Sequence, residues 1–259
     1  MTIDVSNVHV FSHSNIRIEG TAESMGACSG AGVCSGASDT KTAHVLYFDV
    51  FEMDTEPHDA DILFITHDHY DHYSPKDAKK VVNKNTIIMA PASLVEYSKK
   101  VEADPASVAT SPDEPPFEPL SALGATRIIG VEPGDEFFLE GIKVEAVRAY
   151  NVKPERLGFH PKENNWVGYV VTVDGIRYYI AGDTDQNPDN ETIDCDVMLV
   201  PVGGTYTCNT AEAAAFANAI KPTIAIPTHY GSITGKKTDG DEFAKLVNSS
   251  ITVVKKLPW

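Results

Sequence analysis

Seven consecutive residues, Thr66-His67-Asp68-His69-Tyr70-Asp71-His72, carry three imidazoles and two carboxylates. Imidazole nitrogen and carboxylate oxygen are the donors that zinc, manganese and iron take up. The run follows the apolar stretch Asp61-Ile62-Leu63-Phe64-Ile65, at the place where a buried strand would end. A packed core has no use for so many polar groups there, because each needs a partner once it leaves water. On motif grounds the run reads as a metal site rather than a solvated histidine-rich loop.

Two more apolar stretches end in metal-competent residues. Ile180-Ala181 leads into Gly182-Asp183-Thr184-Asp185, and Ile226-Pro227 leads into Thr228-His229-Tyr230. Alone, the first is an ordinary turn and the second a satisfied core histidine. Together with the seven-residue run they form a set, because loops leaving one edge of a rigid sheet are where convergent sites are built.

The elements that must position these loops are legible from pattern. Short strands are expected at 8–11, 15–19, 44–48 and 62–65, with a helix from Ser74-Pro75 through Val82. Ser74 is placed to cap it, Pro75 suits its first turn, and Asp77 suits its positive end. A strand at 86–90 and a helix at 92–101 follow, then the proline-rich connection 111–119, which cannot be regular structure. The second half opens with a strand at 127–131. Hairpins turn at Glu140-Gly141 and Asp174-Gly175, the latter a strong two-residue turn signal. Residues 197–200 and 223–226 are continuous apolar runs, as in strands covered on both faces. An alanine-rich helix at 210–220, with Thr210 as its cap, lies between them, and an amphipathic helix at 239–248 closes the chain. Two sheets packed face to face with helices outside satisfy this alternation in one domain, residues 1–259.

Composition narrows the function classes. With 37 acidic and 21 basic residues the chain carries −16. That balance opposes a polyanionic partner, whose binding rests on Lys and Arg, and makes nucleic acid an unfavoured ligand. No apolar run is long enough to span a bilayer, and the first residues lack the pattern of a secretory signal. A cytoplasmic protein is expected. Cys28, Cys34, Cys195 and Cys208 make no disulfide framework. The repeat Gly26-Ala27-Cys28-Ser29-Gly30 and Gly32-Val33-Cys34-Ser35-Gly36 reads as a Gly/Ser loop with two incidental thiols.

With these motifs in place, the chain resembles the metallo-β-lactamase superfamily, marked by a His-x-His-x-Asp-His run, a later Gly-Asp and a late His. Within it the chain most resembles the hydrolase branch that includes the ascorbate-phosphate lactonases and, more distantly, phospholipase-D-type N-acyl-phosphatidylethanolamine hydrolases. The likeness spans Phe48-Asp49-Val50-Phe51, the seven-residue run, and residues 179–184, 199–204 and 226–230. It implies an α+β, four-layer αββα sandwich with two facing mixed sheets. It also implies two divalent metal ions, zinc first, with manganese or iron as alternatives. His67 and His69 would bind the first ion and Asp71, His72 and His229 the second, with Asp183 bridging. Asp49 would either brace the loop or be a plain strand-end aspartate.

One position departs from the family pattern. Where a histidine usually completes the first site, this chain reads Ala149-Tyr150-Asn151. We expect the following loop to fold back and supply His160, with Asn151 as the fallback, an amide oxygen being the weaker ligand. His9, His13, His44 and His58 read as structural or surface residues, with His13 and His58 the near-site candidates among them.

Such a site supports hydrolysis by a metal-bridging hydroxide, with Asp71 orienting the nucleophile and shuttling its proton. Tyr206 or Tyr230 could steady an oxyanion, though packing at the sheet edge accounts for both. The first reading is a hydrolase of a small ester, lactone or phosphorylated metabolite. Alternatives are a phosphodiesterase of lipid or nucleic acid, a non-hydrolytic redox protein, and a metal-bound scaffold. The related lactonases point to homo-oligomeric assembly.

Overall fold

The computed structural model describes residues 3–22, 42–105 and 117–259. The Cys28/Cys34 repeat and residues 111–116 of the proline-rich connection lie outside them.

Strands β1 (Val8–Val10), β2 (Ile16–Ala22), β3 (Thr42–Phe48), β4 (Ile62–Phe64), β5 (Ile87–Pro91) and β6 (Arg127–Val131) form one sheet in that order. β1 to β3 pair antiparallel and β3 to β6 parallel. The second sheet comprises β7 (Glu136–Leu139), β8 (Ile142–Arg148), β9 (Val167–Val173), β10 (Ile176–Ile180), β11 (Val197–Pro201), β12 (Ile224–Thr228) and β13 (Thr252–Val253). It runs in sequential order, antiparallel from β7 to β10 and parallel from β10 to β13. Parallel pairs need crossovers, and helices supply most of them. α1 (Pro75–Val81) and α2 (Ala92–Ala103) serve the first sheet, α3 (Thr210–Ile220) and α4 (Asp239–Leu246) the second.

Period-two alternation sorts the first sheet's side chains into two layers. Leu46, Phe48, Ile62, Phe64, Ile87 and Met89 face the other sheet. Tyr47, Leu63, Ile65, Ile88 and Ala90 face α1 and α2 instead. Phe48 stacks on Phe64 at 4.6 Å, and Phe64 meets Tyr169 of the opposite sheet at 4.9 Å. The Tyr169 hydroxyl then donates to the Ile65 carbonyl at 2.9 Å, locking the strand end just before the histidine run. This is the expected αββα sandwich.

The two hairpins turn where the sequence placed them, with φ of 51° and 85° at Glu140-Gly141 and 52° and 74° at Asp174-Gly175. Left-handed values at both positions match the twist of the flanking strands. Three local expectations are corrected. Asn209, not Thr210, caps α3: its side chain accepts from the backbone of Ala211 and Glu212, and Glu212 returns a bond to the Asn209 amide. Ser74 makes no cap bond, because its hydroxyl donates to Asp77 at 2.8 Å. α4 ends at Leu246, and the two-residue β13 is too short to leave a pattern.

Asp77 ties α1 to the segment after β3. Its carboxylate accepts from the backbone of Glu52 and Met53 at 3.0 and 3.3 Å and from Lys80 at 2.8 Å. Burial opposes its ionisation, but the Lys80 and Ser74 hydrogen bonds outweigh it and hold the carboxyl below its usual range. A depressed carboxyl contributes stability above its unfolded pKa and loses it as pH falls. Asp77→Ala should therefore cost about 1–3 kcal/mol near neutral pH, with the gap to the native chain narrowing as pH falls below about 4. Urea unfolding at the two pH values checks this.

Candidate metal centre

The elements converge on one edge. β3 leads into Asp49, β4 into the histidine run, β10 into Asp183 and β12 into His229, while the β1–β2 turn brings His13 and the β8–β9 connection brings His160. Two groups of donors result. His67, His69, His160 and Asp183 offer ligand atoms within 4.8 Å of one another, and so do His13, Asp71, His72 and His229. Asp183 reaches both groups. Its Oδ2 lies 3.3 Å from His160 Nε2 and 3.1 Å from His229 Nε2, and its Oδ1 lies 3.3 Å from His72 Nε2. Every sequence-chosen donor is thus present at the edge.

The donor set fits a metal. His72 Nε2, His160 Nε2, His229 Nε2 and Asp183 Oδ1 are buried yet make no hydrogen bond. Buried polar atoms without partners are costly, and a cation among these lone pairs would satisfy all four.

Outer contacts fix the donors' orientation, as metal ligands need. Asp49 resolves toward the bracing role: it accepts from the Thr66 backbone and hydroxyl at 2.8 and 2.7 Å. It also lies 2.8 Å from His72 Nδ1. Donation from Nδ1–H leaves His72 Nε2 as the lone pair aimed at Asp183. His13, Asp49 and His229 hold φ of 45°, 47° and 57°, left-handed backbone that non-glycine residues adopt at a cost. At Gly182, φ is 63° and a Cβ would stand 3.0 Å from that of Thr66, so glycine is required for the strand end to pass the loop.

The β8–β9 connection does fold back. The Asn151 amide N–H donates to the His160 carbonyl at 2.9 Å, closing it into a compact loop. Arg156 pins it down, with Nε 2.7 Å from Asp185 Oδ1 and Nη2 2.7 Å from Glu212. Asp185 also accepts from the backbone of Val152 and Lys153. The Asn151 side-chain nitrogen donates to the carbonyls of Arg156 and Tyr206 and lies 3.1 Å from His160 Nδ1, on the ring side away from Asp183. Asn151 stands behind His160. Trp166 closes the wall, its ring 5.0 Å from His67 and from His69.

The site's electrostatics follow from burial and mutual charge. Burial and neighbouring imidazoles push His67 well down, and bring His69 and His13 down to about 4. Burial also opposes the charge on Asp183, but His229 and His72 outweigh it and hold the carboxyl well below its usual range. Asp71 is held down likewise, by His72, His13 and His229. Against their own burial, His72 and His229 are raised by Asp183 and other carboxylates.

His13 is the residue that spacing undervalued. Its Nε2 lies 3.0 Å from Asp71 Oδ2, its Nδ1 3.3 Å from the Ser232 hydroxyl, and its carbonyl accepts from His229 N–H at 2.9 Å. Unlike His72, His160 and His229, it has partners for both ring nitrogens. His58 is exposed, its ring against the Val82 carbonyl. Tyr230 is buried and packs toward Gly240 and Trp259, whereas Tyr206 stays at the rim against Phe159. A third acidic cluster, Asp185, Cys208 and Glu212, is already served by Arg156, and burial pushes the Cys208 thiol up to about 12.

The fold and this edge together define a metal-dependent hydrolase. The beta-lactamase superfamily domain matches residues 38–229, and the chain belongs to that superfamily. A UPF0173 metal-dependent hydrolase of Thermoplasma acidophilum is 30% identical over 198 residues, covering 75% of this chain and 76% of that one. One from Thermococcus onnurineus is 28% identical over 202 residues, covering 76% and 78%. A solved structure from Parabacteroides distasonis shares the fold at a TM-score of 0.66 and 26% identity, covering 96% of this chain and 92% of its own. Among the described residues no helix is long and apolar enough to cross a membrane.

Arg156 and Asp185 are 5% and 2% exposed at their side chains. Arg156→Ala would strand a buried carboxylate, and should cost about 3–5 kcal/mol in chemical denaturation.

Proposed function

We propose that the chain is a binuclear hydrolase of small molecules, with His67, His69 and His160 holding one divalent ion. Asp71, His72 and His229 hold the other, and Asp183 lies between. The observation that carries this is Asp183, whose two oxygens face donors of both groups. Zinc is the first candidate for the mixed imidazole and carboxylate set, with manganese and iron behind it. When bound, two such ions lower the pKa of a water toward neutrality and polarise the oxygen of the bond under attack.

The chain's own residues do the rest. Asp71 is 11% exposed at its side chain against 3% for Asp183, so it is the carboxylate that can orient a water and accept its proton. His13 is a positioning residue for it: with Ser232 donating to Nδ1, its Nε2–H donates to Asp71 Oδ2 and keeps that carboxylate in place. Trp166 and the 150–166 loop shield the first group from bulk water.

An uncharged ester or lactone is favoured over a phosphorylated substrate. The cations on the loop bearing His160 are already engaged: Arg156 with Asp185 and Glu212, Lys153 with Glu212, and Lys162 with Asp189. None is left to receive a phosphate. Assay of the metal-loaded chain on matched lactone, carboxylic ester and phosphodiester panels tests the reading. Turnover of the first two should dominate, and turnover confined to phosphodiesters would overturn the preference.

Two variants test the residue roles. His160→Ala should retain about one metal equivalent fewer than the native chain after dialysis, whereas Asn151→Ala should lose only affinity, by about 10–100-fold. His13→Ala should lower kcat by about 10–100-fold with KM little changed, and His13→Gln, which can still donate to Asp71, should recover part of the loss.

A further inference from the structure

Six of the eight most exposed large apolar side chains among the described residues stand on the loops that carry the donors. Tyr70, 63% exposed, lies between His69 and Asp71. Phe159 precedes His160, Leu157 shares its loop, and Val152 follows Asn151. Phe11 enters the turn that holds His13, and Ile233 follows Ser232, the partner of His13. They come from loops of both sheets, so more than one flank of the centre contributes to the set. Aromatic contacts make the ring continuous with the site. Phe51 meets His13 at 6.3 Å and Tyr70 at 6.0 Å, and Tyr206 meets Phe159 edge-on at 4.9 Å.

Exposed apolar groups gathered at one place mark binding surfaces, whereas scattered ones need no explanation. The charges around this ring do not favour an anion. Glu52 and Asp68 are exposed beside it, and the loop cations are paired as described above. A second copy of a chain carrying −16 is a poor electrostatic match for the same face.

We propose that the substrates of this centre carry an uncharged apolar acyl or aryl group, which lies against the ring while the scissile carbonyl sits among the donors. This rests on the hydrolase reading. For an ester, the water oxygen forms the new bond to the acyl carbon and the acyl–oxygen bond breaks. The proton removed from water passes to the departing alkoxide, giving a carboxylic acid and an alcohol.

The test separates binding from turnover. Calorimetric titration of the metal-loaded chain with acetohydroxamate and octanohydroxamate compares one metal-binding head on two tails. Burial of each methylene strengthens binding about fourfold, so octanohydroxamate should bind about 50-fold tighter even if half its extra tail is covered. Tyr70→Ser and Phe159→Ser should each shrink that ratio. Equal affinities would overturn the proposal while leaving the hydrolase reading intact. Equal affinities in a chain that sediments as a dimer would assign the ring to self-association instead. Failure of both probes to bind the metal-loaded chain would sink the hydrolase reading and the proposal with it.

Discussion

Asp183 is 3% exposed and touches histidines from three different loops, and much of the architecture can be understood from its needs. A carboxylate taken out of water survives only with compensating charge and hydrogen bonds. Its neighbours are themselves buried imidazoles, which burial drives toward the neutral form and the carboxylates drive back toward the charged one. Protons can settle that conflict only in part, as the unpartnered nitrogens of His72, His160 and His229 show. Divalent cations would settle it with the same atoms.

The sandwich exists to hold those loops still. Both sheets change from antiparallel to parallel pairing near their middles, β3 in the first and β10 in the second. The segments leaving those two strands carry Asp49 and Asp183, one the brace of His72 and the other the carboxylate between the groups. The strained backbone at His13, Asp49 and His229 is tolerated because each is tied across the edge: His229 to the His13 carbonyl, Asp49 to Thr66 and His72. Thr66 in turn receives the Val167 N–H from the opposite sheet. Position at the edge is a property of the whole frame, with each loop serving as another's support.

What the sequence made legible follows from how local each cause is. Strands and hairpins were readable because alternation and turn chemistry act over a few residues, as at Asp174-Gly175. Six of the grouped histidines and aspartates sit in short motifs at strand ends, and they are legible for the same reason. His13 stands apart from them as no more than a near-site candidate in the sequence, since one histidine in a short turn has no spacing partner. Its place beside Asp71 arises only when β1 pairs with β2 and β2 with β3. His160 was reached through a gap in a pattern, and the contacts that deliver it, Arg156 on Asp185 and Asn151 on the His160 carbonyl, span distances that composition does not encode. The cap of α3 falls at Asn209, one residue before the expected Thr210, because both are good cap residues and only the reciprocal bond with Glu212 decides between them.

In the proposed centre a pair of ions shares Asp183. A crystal structure of the metal-loaded chain, with data collected at the absorption edge of the bound element, tests it most directly. Two anomalous peaks are expected, one among His67, His69, His160 and Asp183, the other among Asp71, His72, His229 and Asp183, with His13 bonded to Asp71 and not to the metal. A single peak, or a peak ligated by Asn151 in place of His160, would contradict it.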